Sequence, residues 1–201
     1  MAVDRIDHDH RVAEFQHDLQ HMDLMKVIRK HITTGSLAVL PEAEYYALRD
    51  EVADHFKLHP SKVIVVGSCR TGFILKPSKR YEPFGDSSDV DIAIISQERF
   101  DAYWDLVFQH WRSTPLWAKT KRYKTFLSEL FKGWLWPRRL PPSPHFRETL
   151  EWVEFEDRLG RQHFRGLRSV GARLYRSWER LEAYQAIHVM DSKTALMRGR
   201  R

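Results

Sequence analysis

Two short apolar runs constrain this 201-residue chain more than any other feature. The first, Val63-Ile64-Val65-Val66, is β-branched throughout and is cut off by Gly67, the pattern of a buried strand that ends in a turn. The second, Val90 to Ile95, is also apolar, with Asp89 and Asp91 at its start. Around them, apolar residues recur at helical spacing. Val12, Phe15, Leu19, Met22, Met25, Ile28 and Ile32 predict one long amphipathic helix ending near Thr33-Thr34-Gly35. A second helix is expected from near Pro41 to before Pro60, carrying Tyr45, Leu48, Val52 and Phe56. Cys69 to Leu75 can start a third helix, broken at Pro77. Glu98 to Trp111, Lys119 to Leu135 and Trp178 onward read as helices. Arg147 to Leu159 admits helix or strand, with helix preferred, and Ser169 to Tyr175 reads as a third strand. Strands separated by helices imply an α/β (α+β) fold in which helices pack around a small mixed sheet. Residues 1–60 are expected to form N-terminal helices, and 61–201 a core with a basic helical insertion at about 112–160.

With 42% hydrophobic and 30% charged residues, the chain has the composition of a soluble globular protein. No apolar run reaches transmembrane length, and the stretch Met1 to His10 is acidic and histidine-bearing, unlike a signal peptide. Cys69 is the single cysteine, which excludes an intramolecular disulfide and suits a reducing cytoplasm. The net charge of +6 is concentrated. Arg112, Lys119, Lys121, Arg122, Lys124, Lys132, Arg138, Arg139 and Arg147 face a single acid, Glu129, in that stretch. Such an excess suits an anionic partner, a nucleotide or single-stranded nucleic acid, and equally a solvated basic helix. Trp104, Trp111, Trp117, Trp134 and Trp136 interleave with these charges. They can stack bases, although tryptophans at helical spacing more often pack a core. His17 and His21 stand one helical turn apart without a third metal ligand nearby, so they read as exposed histidines. The amphipathic N-terminal helix can mediate a homo-oligomer or meet a partner protein.

The chemistry concentrates between Val63 and Ile95. Residues two apart in a strand share a face, so Asp89 and Asp91 present two carboxylates side by side while Val90 turns to the core. Two such carboxylates repel unless a cation lies between them. Mg2+ (or Mn2+) suits them, because it takes oxygen ligands and leaves positions for substrate phosphates. Gly67 allows close approach of a ligand to the backbone. The amides that follow and the Ser68 hydroxyl can grip phosphate oxygens, with Arg70 and Lys76 adding charge. Asp86 reads as a solvated loop acid.

A strand ending in Gly67-Ser68, a nearby Gly72, and Ser88-Asp89-Val90-Asp91-Ile92 on the next strand resemble the nucleotidyltransferase superfamily typified by DNA polymerase β. That superfamily includes tRNA-terminal transferases, antibiotic adenylyltransferases, minimal toxin–antitoxin transferases and antiviral oligonucleotide synthases. The resemblance implies a polymerase β-like sheet, Ser68 as a triphosphate contact, and Asp89 and Asp91 as metal ligands. It also implies transfer of a nucleoside monophosphate from an NTP or dNTP to a hydroxyl, with release of pyrophosphate. Template-independent addition, as in the making of an oligonucleotide signal in antiviral defence, is the favoured form. The family's usual third carboxylate on a later strand, which helps hold a second metal, has no counterpart in Ser169 to Tyr175. Glu154 and Glu156 can replace it only if they lie on a strand. A nucleotide-binding regulatory module without chemistry, or an antitoxin-like protein that nucleotidylates a partner, is therefore the alternative. Tyr175 and Tyr184, just past or at the end of the third strand, offer acceptor hydroxyls if they border the site, and otherwise pack against the sheet.

Overall fold

The computed structural model describes residues 5–85, 88–114, 116–140, 146–164 and 169–198. Four strands form one mixed sheet: β1 (Val63–Val66), β2 (Val90–Ile95), β3 (Trp134–Leu135) and β4 (Val170–Tyr175), in the order β1-β2-β4-β3. β1 runs antiparallel to β2, β4 parallel to β2, and β3 antiparallel to β4. The helices are α1 (Arg5–His21), α2 (Leu24–Ile28), α3 (Glu42–Phe56), α4 (Ser68–Thr71), α5 (Gln97–Ser113), α6 (Lys121–Phe131), α7 (Arg147–His163) and α8 (Trp178–Arg198). The chain is thus mixed α/β with a small sheet, and no described helix is long and apolar enough to cross a membrane.

Strand alternation splits the apolar residues into two cores. Val63, Val65, Ile92, Ile94, Ala172 and Leu174 point to one face and pack with α3, α5, α6 and α7. Ile64, Val66, Ala93, Ile95 and Tyr175 point to the other, and pack with α1, α2 and α8. Both faces are covered, which is why β1, β2 and β4 are apolar at nearly every position. On the second face Phe15 and Leu19 of α1 are fully buried inside the chain's own core.

Two expectations are corrected. The N-terminal helix is broken at Met22–Asp23, where Asp23 turns extended (φ −59°, ψ 142°), and the chain resumes as α2 and a π-helical turn, Arg29–Thr33. In one straight helix, residues 18 and 30 would stand about 18 Å apart. Instead Lys30 Nζ and His31 Nε2 lie 2.6 and 2.7 Å from Asp18 Oδ2. The 3.6-residue pattern is met by two helices that fold back on each other. The helix expected from Lys119 to Leu135 also stops early, at Phe131. Gly133 takes φ +83°, the left-handed conformation that closes helices, and Trp134–Leu135 join β4 as an edge strand.

Since β3 pairs with only two residues of β4, the rest of that edge needs another partner. Glu156 of α7, 1% exposed, supplies it: its Oε1 accepts from the Ala172 amide at 2.7 Å and from Trp136 Nε1 at 2.8 Å. Glu154 and Glu156 thus lie on a helix, Glu154 exposed and Glu156 tied to the sheet edge. Burial is the main influence on the Glu156 carboxyl and raises its pKa above the ordinary 4.5.

Candidate functional site

The register Val66↔Asp91 sets the carboxylate of Asp91 beside the turn that ends β1. Gly67 adopts φ 69°, ψ −154°, a region open essentially to glycine alone. A Cβ built there would lie 3.1 Å from Asp91 Oδ2. The glycine therefore does two things: it makes the turn, and it lets the backbone approach the carboxylate. Gly67→Ala is expected to destabilise the fold by about 1–3 kcal/mol through backbone strain and to displace Asp91. Chemical denaturation checks the first effect, and the crystal structure of the variant the second.

Ser68 opens α4, a single turn whose later amides, Arg70 N and Thr71 N, already donate to Gly67 O at 3.0 and 3.1 Å. The first amides of such a turn have no partner within it. The Ser68 hydroxyl is half-buried and has no protein partner among the described residues. Asp89, just before β2, is exposed, and its Oδ1 accepts a hydrogen bond from the Ser169 hydroxyl at 2.8 Å.

The expected site residues do not all converge. Gly67, Ser68 and Asp91 are together. Arg70 is not with them: it is 3% exposed and donates to Tyr45 Oη at 3.1 Å and to the Gly35 carbonyl, in the loop after the π turn. Lys76 is exposed at the tip of a hairpin-like loop that is closed by a Phe73–Pro83 bridge. Asp86 lies outside the described residues. Tyr175 is buried against Trp134 and Tyr184, and burial pushes its phenol far up, so it packs against the sheet. Cys69 is buried beneath the turn, and burial pushes its thiol up to about 12.

The neighbour of Asp91 that the sequence did not flag is Arg173. Ala93↔Arg173 and Asp91↔Gly171 are register partners, so Gly171 and Arg173 share the face of Asp91. The Arg173 guanidinium donates to Asp91 Oδ1 as an ion pair, with side chains 20% and 32% exposed. Burial works against the charged guanidinium, but Asp91 together with the Tyr175 and Tyr184 phenols more than offsets it and the Arg173 pKa is raised. Arg173 also lies over the Trp136 ring, 5.2 Å from its centroid. Arg139, which pairs with Glu129, lies over the same ring at 5.4 Å. The basic insertion thereby reaches the carboxylate through Trp136.

No family model, curated protein or solved structure matches this chain.

The site rests, then, on its own geometry. Among the described residues no group of three acids or histidines gathers to hold a metal ion. His17 and His21 are exposed and stack on each other at 4.2 Å. In the insertion, Lys119, Lys121, Lys124, Lys132, Arg112 and Arg147 are exposed, while Arg138 and Arg139 are half-buried. The tryptophans divide: Trp117 and Trp134 pack in the cores, whereas Trp104 and Trp111 are nearly half exposed on α5 beside Phe108.

Proposed function

We propose that the chain is a metal-dependent nucleotidyltransferase of polymerase β-like type, transferring a nucleoside monophosphate from an NTP or dNTP to a hydroxyl acceptor. One observation carries this reading: the Asp91 carboxylate lies against the glycine-only turn before Ser68, so close that a Cβ at position 67 would stand 3.1 Å from its Oδ2. A triphosphate gripped by the Ser68 hydroxyl and the first amides of α4 would lie against that carboxylate. In this reading the donors for one hard cation are Asp91 Oδ2, which faces the turn, and the exposed carboxylate of Asp89, two residues earlier. A bound Mg2+ would neutralise the phosphates and polarise the α-phosphorus. Asp91 and Asp89 would hold that ion, and Ser68 would donate to a phosphate oxygen. Arg173, released from Asp91 Oδ1, could pair with the departing charge. The positive face of α6 and the exposed Trp104 and Trp111 would hold the acceptor, with single-stranded nucleic acid the best chemical fit.

The test is incubation of the purified protein with each labelled NTP and dNTP and Mg2+ or Mn2+, with pyrophosphate release and product mass as readouts. The expected result is turnover that falls at least about 100-fold in Asp91→Ala. Turnover equal in wild type and Asp89→Ala/Asp91→Ala, or none with any nucleotide, rejects the reading.

The Arg173–Asp91 pair favours a second reading, a nucleotide-binding regulatory module without transfer. A guanidinium on the strand next to the carboxylates takes up an Asp91 oxygen that a second metal would otherwise need. Tight NTP binding by calorimetry without pyrophosphate release distinguishes this module from the enzyme.

A further inference from the structure

Arg70 is a buried cation with an unusual set of partners. Burying a charge is costly unless an opposite charge meets it. Arg70 has none among the described residues: its terminal nitrogens go to Tyr45 Oη and the Gly35 carbonyl, and its Nε has no partner. Arg49 lies alongside, half-buried, donating to the Pro60 carbonyl at 3.1 and 2.8 Å and likewise without a carboxylate. Both guanidiniums lie over the Tyr45 ring, 5.8 and 5.4 Å from its centroid. Two like charges gathered on one ring repel each other, and among the described residues neither forms an ion pair.

They line a cavity of about 510 Å3, within the usual range for small-molecule sites. Ser61 and Ile64, at the start of β1, and Trp178, beyond the end of β4, form part of its wall. This is the opposite end of the sheet from Asp91, since β4 runs parallel to β2 and Asp91 lies near the start of β2. Arg70 reaches the cavity from α4, but Gly67, Ser68, Asp89 and Asp91 do not line it. Two hydroxyls in it have protons to give. Tyr45 Oη accepts from Arg70, and Ser36 Oγ accepts from Arg11 at 3.3 Å, so each keeps its own hydrogen for a ligand. Glu42 also lines the cavity, but it is exposed and forms no ion pair with either arginine.

We propose that this cavity binds a small phosphate-bearing anion. Its charge would be met by Arg70 and Arg49, its oxygens by the Tyr45 and Ser36 hydroxyls, and any ring it carries by Trp178. Phosphate suits the donors better than a carboxylate does. The Arg70 fork is already engaged and supplies charge rather than a bidentate grip, leaving single hydroxyl donors that several oxygens can satisfy. The inference is independent of the transfer reaction and needs no metal.

Inorganic phosphate and AMP are titrated by calorimetry and thermal shift in EDTA at constant ionic strength. Wild type, Asp91→Asn, Arg49→Gln and Tyr45→Phe are compared. Wild type and Asp91→Asn should bind alike, with binding at least about tenfold weaker in Arg49→Gln and in Tyr45→Phe, as for loss of a hydrogen bond to a charged group. If neither anion binds, if binding is unchanged in both cavity variants, or if Asp91→Asn abolishes it, the proposal is overturned. Metal-free binding that is weakened by Arg49→Gln and Tyr45→Phe but not by Asp91→Asn belongs to this cavity, so this result and pyrophosphate release fail separately.

Discussion

Asp91→Asn should abolish metal-dependent triphosphate binding and lower the melting temperature by about 2–8 °C. The two effects have one origin. Asp91 is the carboxylate that faces the Gly67–Ser68 turn, and it is also the counter-charge of Arg173. Breaking a fully buried ion pair costs about 3–5 kcal/mol. This pair is 20% and 32% exposed, so solvent screening reduces the cost to about 1–2 kcal/mol, which gives the stated shift for a domain of this size. Arg173→Met separates the two roles. It removes the guanidinium that competes for Asp91 Oδ1 and replaces it by an apolar chain of similar reach. Stability should change by less than about 1 kcal/mol, while affinity for free Mn2+, followed by water-proton relaxation, should rise. Unaltered Mn2+ affinity in Arg173→Met would remove Asp91 from the metal site.

Glu156→Ala is expected to be strongly destabilising, although Glu156 lies on α7 rather than in the sheet. It would strip the acceptor from the buried Ala172 amide and from the Trp136 indole, and the Arg138 guanidinium 3.6 Å away would lose a partner. Each stranded donor costs about 1–3 kcal/mol. A loss of about 2–5 kcal/mol corresponds to a fall of about 4–20 °C in a domain of this length. Glu156→Gln keeps an acceptor and should lose far less. It also isolates the ionisation. The folded pKa of Glu156 is raised above 4.5, so between 4.5 and that raised value the folded chain binds more protons than the unfolded one. Stability contributed by this carboxyl is therefore greatest at and below 4.5 and declines as pH rises through the folded pKa. Melting curves of wild type should gain on those of Glu156→Gln as pH falls towards 4.5. A difference that is constant with pH would show that burial does not perturb Glu156.

The parts of the fold legible in the sequence are those set by local chemistry. Val63–Val66 and Val90–Ile95 are strands because β-branched and apolar side chains fill a sheet buried on both faces, and their ends carry Gly67 and Asp91. Pairing across the sheet was much less legible. Gly171 and Arg173 join the site through a parallel register with β2, which no local pattern encodes. The available signal was a lone arginine in an otherwise apolar strand, on the alternation of Gly171 and Tyr175. The break at Met22–Asp23 carries no proline or glycine. It is accompanied by Asp18 meeting Lys30 and His31 across the fold-back, contacts that helical periodicity does not encode. Gly133 did mark the end of α6, but two residues are too few for β3 to show a strand period. Arg70 was misplaced for a related reason: in a one-turn helix, successive side chains point in very different directions, and Arg70 turns towards Tyr45 instead of the phosphate side.

The Trp136 platform has a further consequence. With Arg139 and Arg173 both lying over one indole, and Arg138 close behind on Glu156, three guanidiniums cluster on the approach to a single half-buried carboxylate. Each of the three already faces a carboxylate, Arg139 on Glu129, Arg173 on Asp91 and Arg138 on Glu156, so their charges are largely balanced and little net field reaches beyond about 8–10 Å at ordinary ionic strength. Glu129→Gln would unbalance the cluster, so the rate at which polyphosphates or nucleic acids reach the opening should rise in that variant and become more sensitive to salt, while their departure, governed by short contacts, changes little.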